Sequence, residues 1–172
     1  MRVSDMAGTA SDCRKKAKSW NGLIEGKQVD DAIVNPYNKI TKRHLKSKLV
    51  AWCAIFCVMA LILGGLAKSK VYKSSGCKQQ MLWFKKKKRW KGRGTKPQVG
   101  WFVFFDFKKK KNGLPTHMGF ITSVDYKRKG YSISIEGNKK LKNGKDGVGY
   151  RHFSYSSSNK CIVGYGIPYY NK

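Results

Sequence analysis

Nineteen consecutive apolar or small residues, Leu49 to Ala67, separate two halves of different pattern. Upstream, Ala10, Cys13, Ala17 and Trp20 recur at helical spacing. They predict an amphipathic helix from Ser11, with Ser11 as N-cap and Gly22 as stop. Residues 22–48 are mixed, and Asn35-Pro36 reads as a turn. The apolar run has Lys48 and Lys68 at its ends and is long enough for a transmembrane helix. It also holds Trp52, two cysteines and the helix-weakening pair Gly64-Gly65, and the strands beyond it need a helix to cover them. The preferred reading is a buried helix that stops near Leu63.

Downstream the period changes. Residues 68–98 read as basic and loop-rich. Gly100–Phe107 is an apolar strand, buried on both faces in its middle, with Lys108–Lys111 and Asn112-Gly113 as the turn after it. Residues 117–124 and 131–137 predict two more strands joined by a basic turn, and strands near 148–153 and 161–167 follow. The expected class is α+β: N-terminal helices packed on an antiparallel sheet of about five strands that starts near Val99. Residues 1–10 are expected to be a flexible tail and residues 11–172 one domain.

Charge adds a preference for partners. The chain has 37 Lys+Arg against 9 Asp+Glu, a net charge of +28. Such a surface seeks polyanions: nucleic acid, anionic membrane or the polymers of a bacterial wall. The run Lys85–Arg93, which contains Trp90, could be a nucleic-acid patch, although a solvated face is the plainer reading. Five cysteines, at 13, 53, 57, 77 and 161, make an odd and irregular set. At least one thiol should therefore be free. With no Cys-x-x-Cys pair and three scattered histidines, neither a metal nor a cofactor is expected. The first residues do not resemble a signal peptide.

Candidate chemistry rests on four residues. Cys53 lies near the start of the predicted apolar helix, where unpaired N–H groups favour a thiolate. Cys57, one turn later, reads as a core residue. His117 opens a strand; Glu136 and Asn138 end the next one and share a face. A hairpin loop with an even number of residues would turn His117 toward both. A carboxylate or carboxamide could then accept the Nδ1–H of His117 and aim Nε2 at the thiol.

These segments resemble a known family. Trp52-Cys53-Ala54-x-Phe56, Gly100-x-x-Val103-Phe104-Phe105-Asp106, His117-x-Gly119-Phe120-Ile121, Ile135-Glu136-Gly137-Asn138 and Val163–Pro168 stand in the order of the corresponding segments of a CHAP domain. That is the cysteine, histidine-dependent amidohydrolase/peptidase of the NlpC/P60-like, papain-related group, found in phage endolysins and bacterial autolysins. Ile24-Glu25-Gly26 and Tyr37-Asn38 also fit. Trp101 stands where many members carry Asp, and Arg43–Val50 lacks the carboxylates of the calcium loop some relatives have. The resemblance implies a papain-like fold, with Cys53 as nucleophile, His117 as general base, and Glu136 and Asn138 orienting the imidazole and shaping the oxyanion site. The implied substrate is peptidoglycan, cut at the N-acetylmuramoyl-L-alanine amide or in the stem peptide or cross-bridge. It also implies a monomer acting at the bacterial wall after phage-type release or non-standard export. Anionic wall polymers would be held by surface charge, with no specific nucleic acid bound and no transmembrane segment. Two other classes compete: a basic nucleic-acid-binding protein, and a membrane-inserted lysis protein using residues 49–67.

Overall fold

The computed structural model describes residues 7–108 and 112–172. The chain is α+β, with helices preceding a six-stranded, wholly antiparallel sheet. The helices are α1 (Ala10–Ser19), α2 (Lys27–Val29), α3 (Asn35–Thr41), α4 (Cys53–Leu63) and α5 (Cys77–Lys86). The strands are β1 (Trp90–Gly92), β2 (Phe102–Phe105), β3 (His117–Val124), β4 (Tyr131–Lys140), β5 (Asp146–Ser154) and β6 (Ile162–Gly166), in the spatial order β1-β6-β2-β3-β4-β5.

The central helix follows the expected course. α4 is buried from Cys53 to Ile62 and ends at Gly64, where the chain leaves the core. No helix among the described residues is long and apolar enough to cross a membrane. α4 packs with Phe102, Phe104, Met118, Phe120, Ile135 and Val148 in the larger core cluster. The alternate residues Val103, Phe105 and Ile121 join Phe153, Ile162 and Tyr165 on the other face of the sheet. β2 is thus buried on both faces, as its continuous apolar pattern predicts.

Four local expectations are corrected. α1 is capped by Thr9, not Ser11: Thr9 and Asp12 form a capping box, a stronger start signal than a lone serine. No turn occurs at Asn35-Pro36. Residues 27–41 are helical throughout, with a π segment at Asp30–Val34 just before Pro36. There the Asn35 N–H reaches back to the Asp30 carbonyl, and the wider turn accommodates a proline that has no N–H to give. The basic stretch 68–98 contains α5, whose Gln80, Met81 and Phe84 are buried at helical spacing while its lysines face outward. It also contains β1, so the sheet starts at Trp90 rather than near Val99 and has six strands. Of the tail assigned to residues 1–10, the part from Ala7 is held: Gly8 N–H donates to Gly64 O, and Asn171 N–H to Gly8 O. Residues 1–6, and positions 109–111 of the lysine-rich turn, lie outside the described residues.

Candidate active site

Cys53 is the first residue of α4, with Trp52 as N-cap, so its sulfur sits at the positive end of the helix. His117 is the first residue of β3 and Glu136 lies in β4. A bulge turns the last two to the same face. Near the hairpin turn Val124 pairs with Ser132 and Ser123 with Ile133; beyond the bulge at Thr122, Ile121 pairs with Ser134 and Phe120 with Ile135. The expected even loop is therefore not what aligns them. Without the extra residue, His117 would face away from Glu136. Continuing the register puts Gly119 opposite Glu136. A Cβ on Gly119 would come within 2.7 Å of the Glu136 Cγ, so the glycine vacates the space the carboxylate crosses on its way to the imidazole.

Glu136 is fully buried. Its Oε2 lies 2.9 Å from Nε2 of His117. Ser134 donates its hydroxyl to Oε1 at 2.6 Å, and Arg151 Nε donates to both oxygens at 2.9 and 3.0 Å. A buried carboxylate with these partners stays charged: burial would raise its pKa, but the His117 hydrogen bond and charge, with Arg151 and Ser134, hold it below the usual value. Nε2 thus faces the carboxylate and Nδ1 is left for the thiol, the reverse of the expected assignment. Phe105 and Phe107 flank the imidazole at 6.2 and 5.7 Å between centroids, and the Arg151 guanidinium lies over both phenyl rings.

Two neighbours, Cys77 and His117, set the state of Cys53. Its sulfur is 3.4 Å from that of Cys77. The Cys77 contact is the largest influence lowering its pKa, and the His117 hydrogen bond and charge add to it. Together they outweigh burial and hold the thiol well below its ordinary value. Burial works against the His117 imidazolium, yet hydrogen bonds to Cys53 and Glu136 raise its pKa to about 9. The stable state near neutrality is a thiolate–imidazolium pair. Cys57, one turn along α4, shows what the same side chain does without those partners: burial pushes its pKa well up and it remains a thiol.

Asn138 does not join the imidazole. It occupies the bulge between β4 and β5 at a left-handed φ of 51°. Its Oδ1 accepts the backbone N–H of Trp52, and its Nδ2 lies 3.4 Å from Oε1 of Glu25. The same Glu25 oxygen accepts the Trp52 indole N–H at 3.0 Å. Asn138 and Glu25 therefore fix the residue before Cys53 and so the start of α4. Gly137 permits this approach, since a Cβ there would meet the Trp52 ring at 2.6 Å. Cys77, Arg151 and Ser134 were not singled out from sequence. Ser134 lies two residues before Glu136, a same-face spacing that could have flagged it. Among the described residues no group of three or more His, Cys, Asp or Glu is arranged to hold a metal ion.

No protein-family model matches the chain, and no curated protein matches it either. Among solved structures, the crystal structure of Ly7917 aligns with a TM-score of 0.51 at 14% identity. The alignment covers 93% of this chain and 62% of that one, so this chain spans less than two thirds of its length. At this identity the likeness concerns the fold alone.

Proposed function

We propose that the chain is a papain-like cysteine amidohydrolase of the CHAP type that hydrolyses an amide bond of peptidoglycan. The observation that carries the reading is His117 with its Nε2 2.9 Å from an oxygen of the buried Glu136, beside a Cys53 thiol that Cys77 and His117 hold well below its ordinary pKa. Cys53 would attack the scissile carbonyl as a thiolate. His117, an imidazolium at rest, would protonate the departing amine and then take a proton from the water that releases the acyl group. Glu136 holds the ring and balances its charge, while Arg151 and Ser134 hold Glu136. The first backbone N–H groups of α4 have no partner within the helix and could bind the developing oxyanion.

Peptidoglycan as substrate draws on the segment resemblance and on the charge. A net charge of +28 suits attachment to an anionic envelope. An open cleft lined by Ser69, Lys70, Trp83, Lys87 and Tyr169 offers cations beside aromatic faces and shares no residue with the thiol site. The nucleic-acid reading loses its stacking residue. The Trp90 ring packs against Phe104 at 5.1 Å and over Gly164, where a Cβ would meet it at 2.4 Å. The test is clearance of a purified cell-wall suspension, with release of new amino groups. The reading expects activity that a thiol alkylator abolishes and that Cys53→Ala lacks. Clearance that survives both would overturn it.

A further inference from the structure

Cys53 and Cys77 each open a helix. Cys53 begins α4 after Trp52, and Cys77 begins the ten-residue α5 after Gly76. The two helix starts meet at the sulfurs, which lie 3.4 Å apart across 24 residues of sequence. Both helix ends direct unpaired N–H groups and positive potential toward the pair, which favours one negative charge shared between them. The hydrogen bond between them pulls the Cys53 pKa down and pushes the Cys77 pKa up, which favours one thiolate beside one thiol. Cys53 is only 3% exposed, whereas Cys77 is half-buried, so a small solute meets the pair from the Cys77 side. Hydrolysis as described above uses Cys77 only as a neighbour that lowers the Cys53 pKa, not as a reacting group.

We propose that Cys53 and Cys77 form a reversible oxidation site that takes a hydroperoxide and closes to an intramolecular disulfide. In the first step the Cys53 thiolate attacks one oxygen of hydrogen peroxide. An S–O bond forms, the O–O bond breaks, and the leaving hydroxide is protonated to water. In the second step the Cys77 sulfur attacks the Cys53 sulfenic acid. The S–S bond forms, the S–O bond breaks, and the expelled hydroxide leaves as a second water with the Cys77 proton. Two thiols lose two electrons in total and the peroxide gains them. The sulfurs must close from 3.4 Å to about 2.0 Å, a shift of about 1.4 Å at the first turn of α5. The disulfide removes the nucleophile from use and shields it from irreversible oxidation; a dithiol restores both thiols.

The disulfide chemistry needs only the two thiols, while its effect on hydrolysis rests on the amidohydrolase reading. The decisive measurement is therefore mass rather than activity. Protein reduced and then exposed to about one equivalent of hydrogen peroxide should lose the mass of two hydrogens. Peptide mapping should find Cys53 joined to Cys77, and dithiothreitol should reverse both changes. With peroxide raised to about five equivalents, enough to supply several oxygens, Cys77→Ser and Cys77→Ala should instead gain two or three oxygens at Cys53, which dithiothreitol does not remove, while wild type should stop at the disulfide. Wild-type protein that over-oxidises at Cys53 as these variants do, or that links other cysteines, would overturn the proposal even if every variant misfolds. If wall hydrolysis exists, it should fall at least about tenfold with disulfide formation and return with dithiothreitol. A disulfide that forms in a protein with no hydrolytic activity would sink the amidohydrolase reading and leave this one standing.

Discussion

Charge is handled in two different ways in this molecule. Around Glu136 a single buried carboxylate is met by His117, Ser134 and Arg151 at 2.6 to 3.0 Å. Over the whole chain 37 Lys+Arg outnumber 9 Asp+Glu, and the exposed pairs Lys27–Asp31, Lys96–Asp125 and Lys140–Asp146 engage only a few of the cations. The first arrangement is short-range and dry. It sets protonation states, and salt reaches it little. The second is a long-range field in water that sets what approaches the protein and fades within about 8 Å at physiological ionic strength. One region can hold chemistry; the other can hold a particle.

The largest expected effect separates the two outright. Cys53→Ala should lower wall hydrolysis by at least about 10³-fold, and His117→Ala by a similar factor, because the members of such a unit are strongly non-additive. The thermal midpoint of Cys53→Ala should fall by no more than that of Cys57→Ala, whereas His117→Ala should fall further because it leaves the buried Glu136 without one of its partners. Cys57→Ala should keep most activity while losing stability by about 1–2 kcal/mol from the small cavity it leaves in the core. Loss of activity in Cys57→Ala with retention in Cys53→Ala would reverse the assignment.

Glu136→Gln tests the buried network itself. A carboxamide can still accept the ring N–H, but Arg151 and the imidazolium would lose their counter-charge. Stability should fall by about 2–4 kcal/mol in urea unfolding, and kcat/KM by about 10- to 100-fold. The pH profile should move as well. The folded pKa of His117 is raised from 6.5 to about 9, so its contribution to stability is complete below 6.5 and is lost as pH rises through about 9. Activity should show its alkaline limb there, where the proton for the leaving amine is lost. In Glu136→Gln the limb should shift to lower pH. A limb that stays near 9 in the variant would mean that Glu136 does not support the imidazolium.

Much of this was visible in the pattern of residues, and most of the misses share a cause. The apolar run ending near Leu63, the doubly buried β2 and the strands carrying His117 and Glu136 are all set by local hydrophobic periodicity, which sequence records directly. α5 was hidden because lysines dilute its apolar face, although Met81 and Phe84 keep the helical spacing. The Thr9 cap was legible as a Thr-x-x-Asp spacing that was passed over, whereas the π turn before Pro36 and the bulge at Thr122 depend on backbone hydrogen bonds that single residue types do not announce. The site divides the same way. That His117 and Glu136 lie on two strands of one hairpin was legible, but the bulge at Thr122 that turns them to the same face was not. Cys77 and Arg151 arrive from elements that only tertiary packing brings near, and Asn138 turns aside because its left-handed φ breaks the alternation that placed it beside Glu136.

The surface field is tested by changing the offered substrate rather than the protein. Raising salt from low to above physiological should reduce hydrolysis of whole walls several-fold and that of a small soluble muropeptide far less, because only the first depends on attraction beyond contact distance. Lys70→Gln with Lys87→Gln should reproduce part of the loss at low salt if the cleft beside Trp83 and Tyr169 is a binding face. Equal losses on both substrates would place these charges inside the reaction and dissolve the division between the two regions.

The smallest effect is the strictest control. Lys140 and Asp146 pair at 3.0 Å, a distance like that of Arg151 and Glu136, and their backbones are partners in the β4–β5 ladder. Their side chains are 64% and 37% exposed, whereas Glu136 is fully buried. Water already solvates both charges, and holding two flexible side chains together costs entropy. Lys140→Gln should therefore change unfolding free energy by less than about 0.5 kcal/mol. Even that difference should vanish at high salt, while the penalty of Glu136→Gln persists. Similar distances with opposite salt responses would attribute the contrast to burial rather than to pairing. A Lys140→Gln variant as damaged as Glu136→Gln would show instead that proximity alone sets the strength of these contacts.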